Sequence, residues 1–332
     1  MILHPGILAL LVSSLLISAM VLYSSACGVA ILRGWDITSG SERQLLLERK
    51  TYLISTILGY FLGFQLISLF LFIYTADSIC PLFVGAMCAV GTLSVNSYGY
   101  PALFCKMLNF ILAGLWLILN HVDSRGYDYP LLKTKYRFLL LIAPCVLLEM
   151  VLQGFYFLSL RPDVITSCCG SLFGSGGEGL AAEMAALPAV PTMVAFYSIM
   201  ALTIGCGILF YRTGKAGVLF AGVSGGACVV SIVSVISFIS LYFYELPTHH
   251  CPFCILQKEY GYIGYPLYLF LLAGGVSGVG VGILAPFRNV DSLATTLPAL
   301  RKRLALVSLL SYLIFTAIAT WPILFSSFTL DT

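Results

Sequence analysis

The sequence predicts an all-α integral membrane protein with eight transmembrane helices, and three observations predict it. Of 332 residues, 60% are hydrophobic and 9% charged, with a mean hydropathy of +1.00. A water-facing surface needs about a quarter of its residues charged. Apolar stretches of about 20 residues, enough to cross a hydrocarbon core of about 30 Å, recur eight times. The basic residues gather in alternate connections between those stretches. Soluble enzymes and nucleic-acid binders are excluded on composition alone, and the lipid bilayer is the expected solvent.

The expected spans run over 6–32, 52–75, 101–120, 138–160, 190–211, 217–243, 264–286 and 304–326. The first has no basic residue before it and is longer than the apolar core of a signal peptide, so it is expected to be retained. Connections 33–50, 121–137, 212–215 and 287–303 contain 14 of the 17 Lys and Arg residues, leaving only Lys106, Arg161 and Lys258 for the other side. Cytoplasmic loops collect positive charge, so both termini are expected outside the cytoplasm of a bacterial inner membrane. The whole chain, 1–332, reads as one polytopic domain: a four-helix half at 1–160, a non-cytoplasmic loop at 161–189 and a second half at 190–327.

That orientation sorts the 11 cysteines. Cys80, Cys88, Cys168, Cys169, Cys251 and Cys254 fall in or beside the non-cytoplasmic loops, where an oxidising environment permits disulfide cycling. Cys27, Cys105, Cys145, Cys206 and Cys228 stand singly in apolar spans, as small buried hydrophobes do. The richest segment is 249–258, His-His-Cys-Pro-Phe-Cys-Ile-Leu-Gln-Lys. A C-x-x-C opening a helix places its first thiol beside unpaired N–H groups that favour the thiolate. His249, His250 and Lys258 add positive potential and proton carriers beside it.

This segment, following an outward-running span and opening an inward-running one, resembles the redox segment of DsbB-type quinone-linked thiol oxidases over residues 245–270. The family pairs its C-x-x-C with an Arg near the bound quinone, and Lys258 stands in the matching position, a point charge without the planar fork. The resemblance implies that Cys251 and Cys254 form the quinone-proximal pair. It also implies a quinone contacted by Lys258, Gln257, His250 and the intramembrane Glu149, and a periplasmic thioredoxin-fold partner met by Cys80–Cys88 or Cys168–Cys169. Two spacings depart from the family: Cys80 and Cys88 are eight apart, and Cys168–Cys169 are vicinal.

Two other readings stay open. His249, His250, Cys251, Cys254, Cys168 and Cys169 are also the ligand types of a soft-metal site, copper above all, in a binding or transport protein. The chain also reads as a structural subunit of a larger respiratory or cytochrome-maturation complex.

Internal similarity suggests a parallel 4+4 tandem repeat. Cys80-Pro81 and Cys251-Pro252 each follow a span, and a Gly-Tyr-Pro enters the next span at Pro101 and Pro266. Within the membrane, Glu149 and Gln153 share a helix face, with a proton path, a quinone contact or a helix–helix hydrogen bond as the candidate roles. Gln65 and Asn109 read as polar glue. Gly222, Gly225 and Gly226 facing Gly274, Gly275, Gly278 and Gly282 read as a close helix contact. Trp35, Trp116 and Trp321 read as interfacial belt residues. A short helix is expected within 178–187.

Overall fold

The computed structural model describes residues 2–166, 180–326 and 328, so Cys168 and Cys169 lie outside the described residues. Among the described residues all regular structure is helical: α1 (Pro5–Gly34), α2 (Glu42–Ser78), α3 (Ala89–Leu93), α4 (Gly99–Asp123), α5 (Leu132–Leu158), α6 (Leu180–Ala185), α7 (Ala189–Thr213), α8 (Gly217–Ser234), α9 (Ser240–Tyr244), α10 (Gly264–Ile283) and α11 (Thr296–Phe325). A π-helical turn at Val235–Ile239 joins α8 to α9, so the two form one span. Among the described residues, eight helices are long and apolar enough to cross a membrane, as in a multi-pass protein. Exposed side chains such as Val12, Leu15 and Leu22 on α1 suit a hydrocarbon solvent. The short helix expected within 178–187 is α6.

Local chemistry sets the helix ends. Pro5 occupies the first turn of α1, where its missing N–H costs nothing, and His4 Nδ1 accepts from the Gly6 N–H at 3.3 Å. The second helix begins ten residues before its expected apolar span because Ser41 Oγ accepts the Gln44 N–H at 3.3 Å and Gln44 bonds to Glu48 at 3.0 Å. That cap and i,i+4 pair extend the helix into the basic connection. The seventh element, α7, ends at Gly214, whose φ of 70° is the left-handed turn that glycine adopts most readily.

The chain divides into two compact units. Unit 1 comprises Met1–Thr75, Asn96–Arg161 and Phe287–Leu297; unit 2 comprises Ala76–Val95, Pro162–Pro286 and Pro298–Thr332. The loop after α2, with Cys80 and Cys88, therefore belongs with the later spans.

Unit 1 packs α1, α2, α4 and α5 around Ile17, Leu58, Leu62, Trp116, Tyr136 and Leu139. Trp116, expected at the membrane interface, is instead fully buried in this core, where its indole N–H donates to the Lys135 carbonyl at 3.1 Å. That bond satisfies the ring's only polar group without water.

Unit 2 brings α8 and α10 close through small residues. A methyl group on Gly278 would collide with Ser224 Oγ, and one on Gly275 would stand 3.1 Å from Cys228 Sγ. Tyr312 donates to the Ser224 carbonyl at 2.6 Å and Ser308 to the Gly274 carbonyl at 2.8 Å. Gly222 and Gly226, expected to share this contact, meet nothing within 4 Å, whereas Gly225 faces Val279 at 3.5 Å, so α8 contributes Gly225 with its serine, alanine and cysteine face.

Candidate functional site: a three-sulfur centre in unit 2

Two loops of unit 2 carry the sulfur atoms. In the first, Cys80 opens a 3₁₀ turn, Cys80–Leu82, and Cys88 stands in extended backbone immediately before α3. This loop is tied to residue 166: the Thr166 N–H donates to the Val84 carbonyl at 3.0 Å, and Gly85, at φ 87°, lets the Thr166 carbonyl approach where any Cβ would block it. In the second, Cys251 precedes a 3₁₀ turn at Cys254–Leu256.

The two loops meet at sulfur. Cys88 Sγ lies 3.7 Å from Cys251 Sγ, and the Sγ atoms of Cys88, Cys251 and Cys254 all lie within 4.8 Å of one another. Cys88 and Cys251 are 0% exposed and Cys254 6%. At 3.7 Å the contact is in the range of a thiol hydrogen bond and far from the 2.05 Å of a disulfide. Cys80, also buried, is outside this group of three.

Two tyrosines, buried Tyr244 and half-buried Tyr268, hold the Cys251 loop. Tyr244, at the end of α9, donates its hydroxyl proton to the Cys251 carbonyl and accepts the Ile255 N–H at 2.9 Å. Tyr268, on the first turns of α10, donates to the Pro252 carbonyl at 2.6 Å. A carboxamide bridges the two loops: Gln257 Nε2 donates to the Met87 carbonyl at 2.8 Å and to Asp77 Oδ1 at 3.1 Å, and the same oxygen accepts the Ala89 N–H at 3.2 Å. The backbone on both sides of Cys88 and on both sides of the C-x-x-C is therefore fixed before any chemistry begins.

Of the residues expected around this centre, His249 and His250 lie beside it without entering the three-sulfur group. The His249 ring stands edge-on to Tyr244 with centroids 4.6 Å apart. Burial is the main cause holding its imidazole below the usual value; negative charge at Cys88 opposes this and His250 reinforces it. His250 Nδ1 meets the Ile236 carbonyl at 3.0 Å. A carbonyl only accepts, so Nδ1 carries the proton and Nε2 of the neutral ring is an acceptor. Lys258 is exposed and begins the next 3₁₀ turn, Lys258–Tyr260.

Two expectations are corrected. The C-x-x-C does not open a long helix: Gly261 and Tyr262, at φ 61° and 57°, turn the chain, and α10 begins at Gly264, ten residues after Cys254. A helix dipole acts only over its first turn, so it does not activate Cys251. The second correction is Lys106; for Glu149 the contacts are those of the helix–helix hydrogen bond, one of its expected roles. Lys106, expected outside the membrane, is 1% exposed in unit 1 and pairs with Glu149 at 2.7 Å. The Glu149 carboxylate also accepts from the Gln65 and Asn109 amides, and Lys106 donates to Ser68 at 3.2 Å. A buried charge persists only when paired and hydrogen-bonded, and both oxygens of Glu149 are engaged in that way. A second buried pair in unit 1 joins Lys135 to Asp123 at 2.6 Å.

Sequence reasoning separated Cys88 from the C-x-x-C and paired it with Cys80. Missed altogether were Asp77, Tyr244 and Tyr268; the only signal for Tyr244 was its place seven residues before Cys251. Comparisons with protein-family models, curated proteins and solved structures return no match. The functional reading therefore rests on the site.

Proposed function

We propose that this chain is a membrane thiol–disulfide oxidoreductase that relays electrons from a periplasmic thioredoxin-fold partner to a membrane quinone. The observation that carries the reading is the approach of Cys88 Sγ to within 3.7 Å of the first sulfur of a C-x-x-C.

With Cys251–Cys254 as the disulfide and the outer thiols reduced by the partner, the Cys88 thiolate attacks Cys251 Sγ. The Cys88–Cys251 bond forms, the Cys251–Cys254 bond breaks, and Cys254 leaves as thiolate. The Cys80 thiolate then attacks Cys88, forming Cys80–Cys88 and releasing Cys251. The C-x-x-C is left as a dithiol carrying two electrons and two protons. A quinone, when bound, supplies the acceptor for both. Of the four residues expected to contact it, Glu149 and Gln257 are committed to protein partners, so Lys258 is the donor available to a quinone carbonyl. With Nδ1 engaged by the Ile236 carbonyl, His250 Nε2 is the ring nitrogen placed to receive a thiol proton. The basic-residue distribution supports a periplasmic position for this centre, and the repeated Cys-Pro and Gly-Tyr-Pro signatures support two spans-plus-loop copies that supply one cysteine segment each.

The test is coupled thiol oxidation and quinone reduction by the purified protein. Cys251→Ser and Cys254→Ser are expected to abolish both, and Cys254→Ser to accumulate a Cys88–Cys251 disulfide detectable by mass spectrometry. Wild-type rates in Cys251→Ser, or no Cys88–Cys251 linkage, would overturn the assignment.

A further inference from the structure

We infer that the reduced Cys88–Cys251–Cys254 centre is also a three-thiolate site for a soft, closed-shell monovalent cation, Cu(I), and that occupancy holds the relay off. The inference rests on the proposed function in one respect: it requires the three thiols to be reduced together.

The geometry is that of a site built before the metal arrives. A trigonal metal with bonds of about 2.3 Å to three sulfurs sets them about 4.0 Å apart. Here one pair is at 3.7 Å and all three fall within 4.8 Å. Convergence would mean little if the loops were free to drift, but Tyr244, Tyr268 and Gln257 bond to the backbone on both sides of the sulfurs.

Donor chemistry selects the ion. Three thiolates are soft ligands, and among the described residues no histidine or carboxylate joins the group, so its donor set favours soft cations over hard, oxygen-seeking ones. A tetrahedral structural zinc site takes four protein ligands. Cu(I) is satisfied by fewer, and a centre whose sulfurs are at most 6% exposed keeps water from completing a higher coordination. Binding transfers no electrons: each coordinating thiol gives its proton to solvent and its lone pair to the cation. A sulfur so engaged cannot attack a disulfide, so a bound ion blocks the step from Cys88 to Cys251.

The experiment titrates reduced, metal-free full-length protein anaerobically with Cu(I) against a chromogenic chelator such as bicinchoninate, and reads the copper environment of the wild type by X-ray absorption. One copper per chain with three sulfur neighbours is expected. Cys88→Ser, Cys251→Ser and Cys254→Ser should each weaken binding by more than about 100-fold, beyond what loss of an outer-shell partner does. Cys206→Ser should not. Two sulfur neighbours, no stoichiometric copper, or a Cys88→Ser protein that binds as tightly as wild type overturns the inference, and the wild-type spectrum decides even if a variant fails to fold. Thiol oxidation with quinone reduction is assayed on the same metal-free preparation. Turnover without copper binding sinks this inference alone; copper binding without turnover sinks the oxidoreductase reading and leaves the site.

Discussion

The two units solve the problem of a polar interior in opposite ways. Unit 1 buries charge: Lys106, Asp123, Lys135 and Glu149 are all at most 2% exposed and joined in two ion pairs. In unit 2, among the described residues, no Asp, Glu, Lys or Arg is buried. Its interior polar groups are hydroxyls, amides and thiols, and its helices approach through glycine, alanine and serine. Electrostatic interactions strengthen in a low dielectric, so a fixed charge beside a thiol biases its ionisation strongly. The sulfur centre sits in the unit without fully buried charges, held by hydroxyl and carboxamide bonds to backbone and by the half-buried Asp77 carboxylate, which accepts the Ala89 N–H beside Cys88. Buried charge serves as fastening in one unit, whereas the Asp77 carboxylate beside the sulfur centre of the other stays half-buried.

The sharpest way to break this comparison is to remove a fastening. Glu149→Leu leaves Lys106 buried without its counter-charge and is expected to destabilise the protein by about 3–5 kcal/mol. Adding Lys106→Met should restore most of that loss, because the pair is replaced as a whole. Reversible unfolding in mild detergent measures both; a single-variant cost under about 1 kcal/mol would show that the pair fastens nothing.

In unit 2, Gly278→Leu forces side-chain atoms into Ser224 and is expected to cost about 3 kcal/mol, the upper end of overpacking. Gly222→Ala, in open space, should stay within about 0.5 kcal/mol in the same assay. Equal costs at the two glycines would mean that α8 and α10 are not in close contact.

Tyr244→Phe strands the Cys251 carbonyl and the Ile255 N–H in a buried place, for about 1–3 kcal/mol. Its expected signature is a larger loss in the yield of the Cys88–Cys251 disulfide trapped in a Cys254→Ser background than in the melting temperature. If yield and melting temperature fall together in proportion, Tyr244 supports the fold and not the sulfur geometry.

Local sequence carries some of this architecture and is silent on the rest. The eight spans were legible because bilayer thickness imposes a length that each apolar run meets by itself. Cys251 and Cys254 were legible because their motif is contiguous. Cys88 is 163 residues from Cys251, and nothing in either loop's own pattern encodes the meeting; it is made by Gln257 reaching Met87 and Asp77. Lys106 was misread because a Lys six residues into a span resembles one that reaches back to the interface. The structure turns it inward because Glu149, Gln65 and Asn109 supply what water would have supplied. The absence of a helix at Cys254 follows from Gly261 and Tyr262, whose left-handed backbone is a tertiary choice that Tyr, unlike Gly, does not advertise.

The π turn at Val235–Ile239 has a bearing on the cysteines that distance conceals. An α-helix advances about 100° per residue, so a π turn, which takes up one residue more, sets everything after it about 100° out of phase with an unbroken α-helix of the same sequence. Tyr244 lies downstream of the turn, and so does its aim at Cys251 and Ile255. The orientation of the sulfur centre is thus written as rotational phase inside the sixth span. Drawing the same residues of 235–239 into regular α-helix would keep the span helical and almost as long, yet swing the tyrosine more than a quarter-turn off its target.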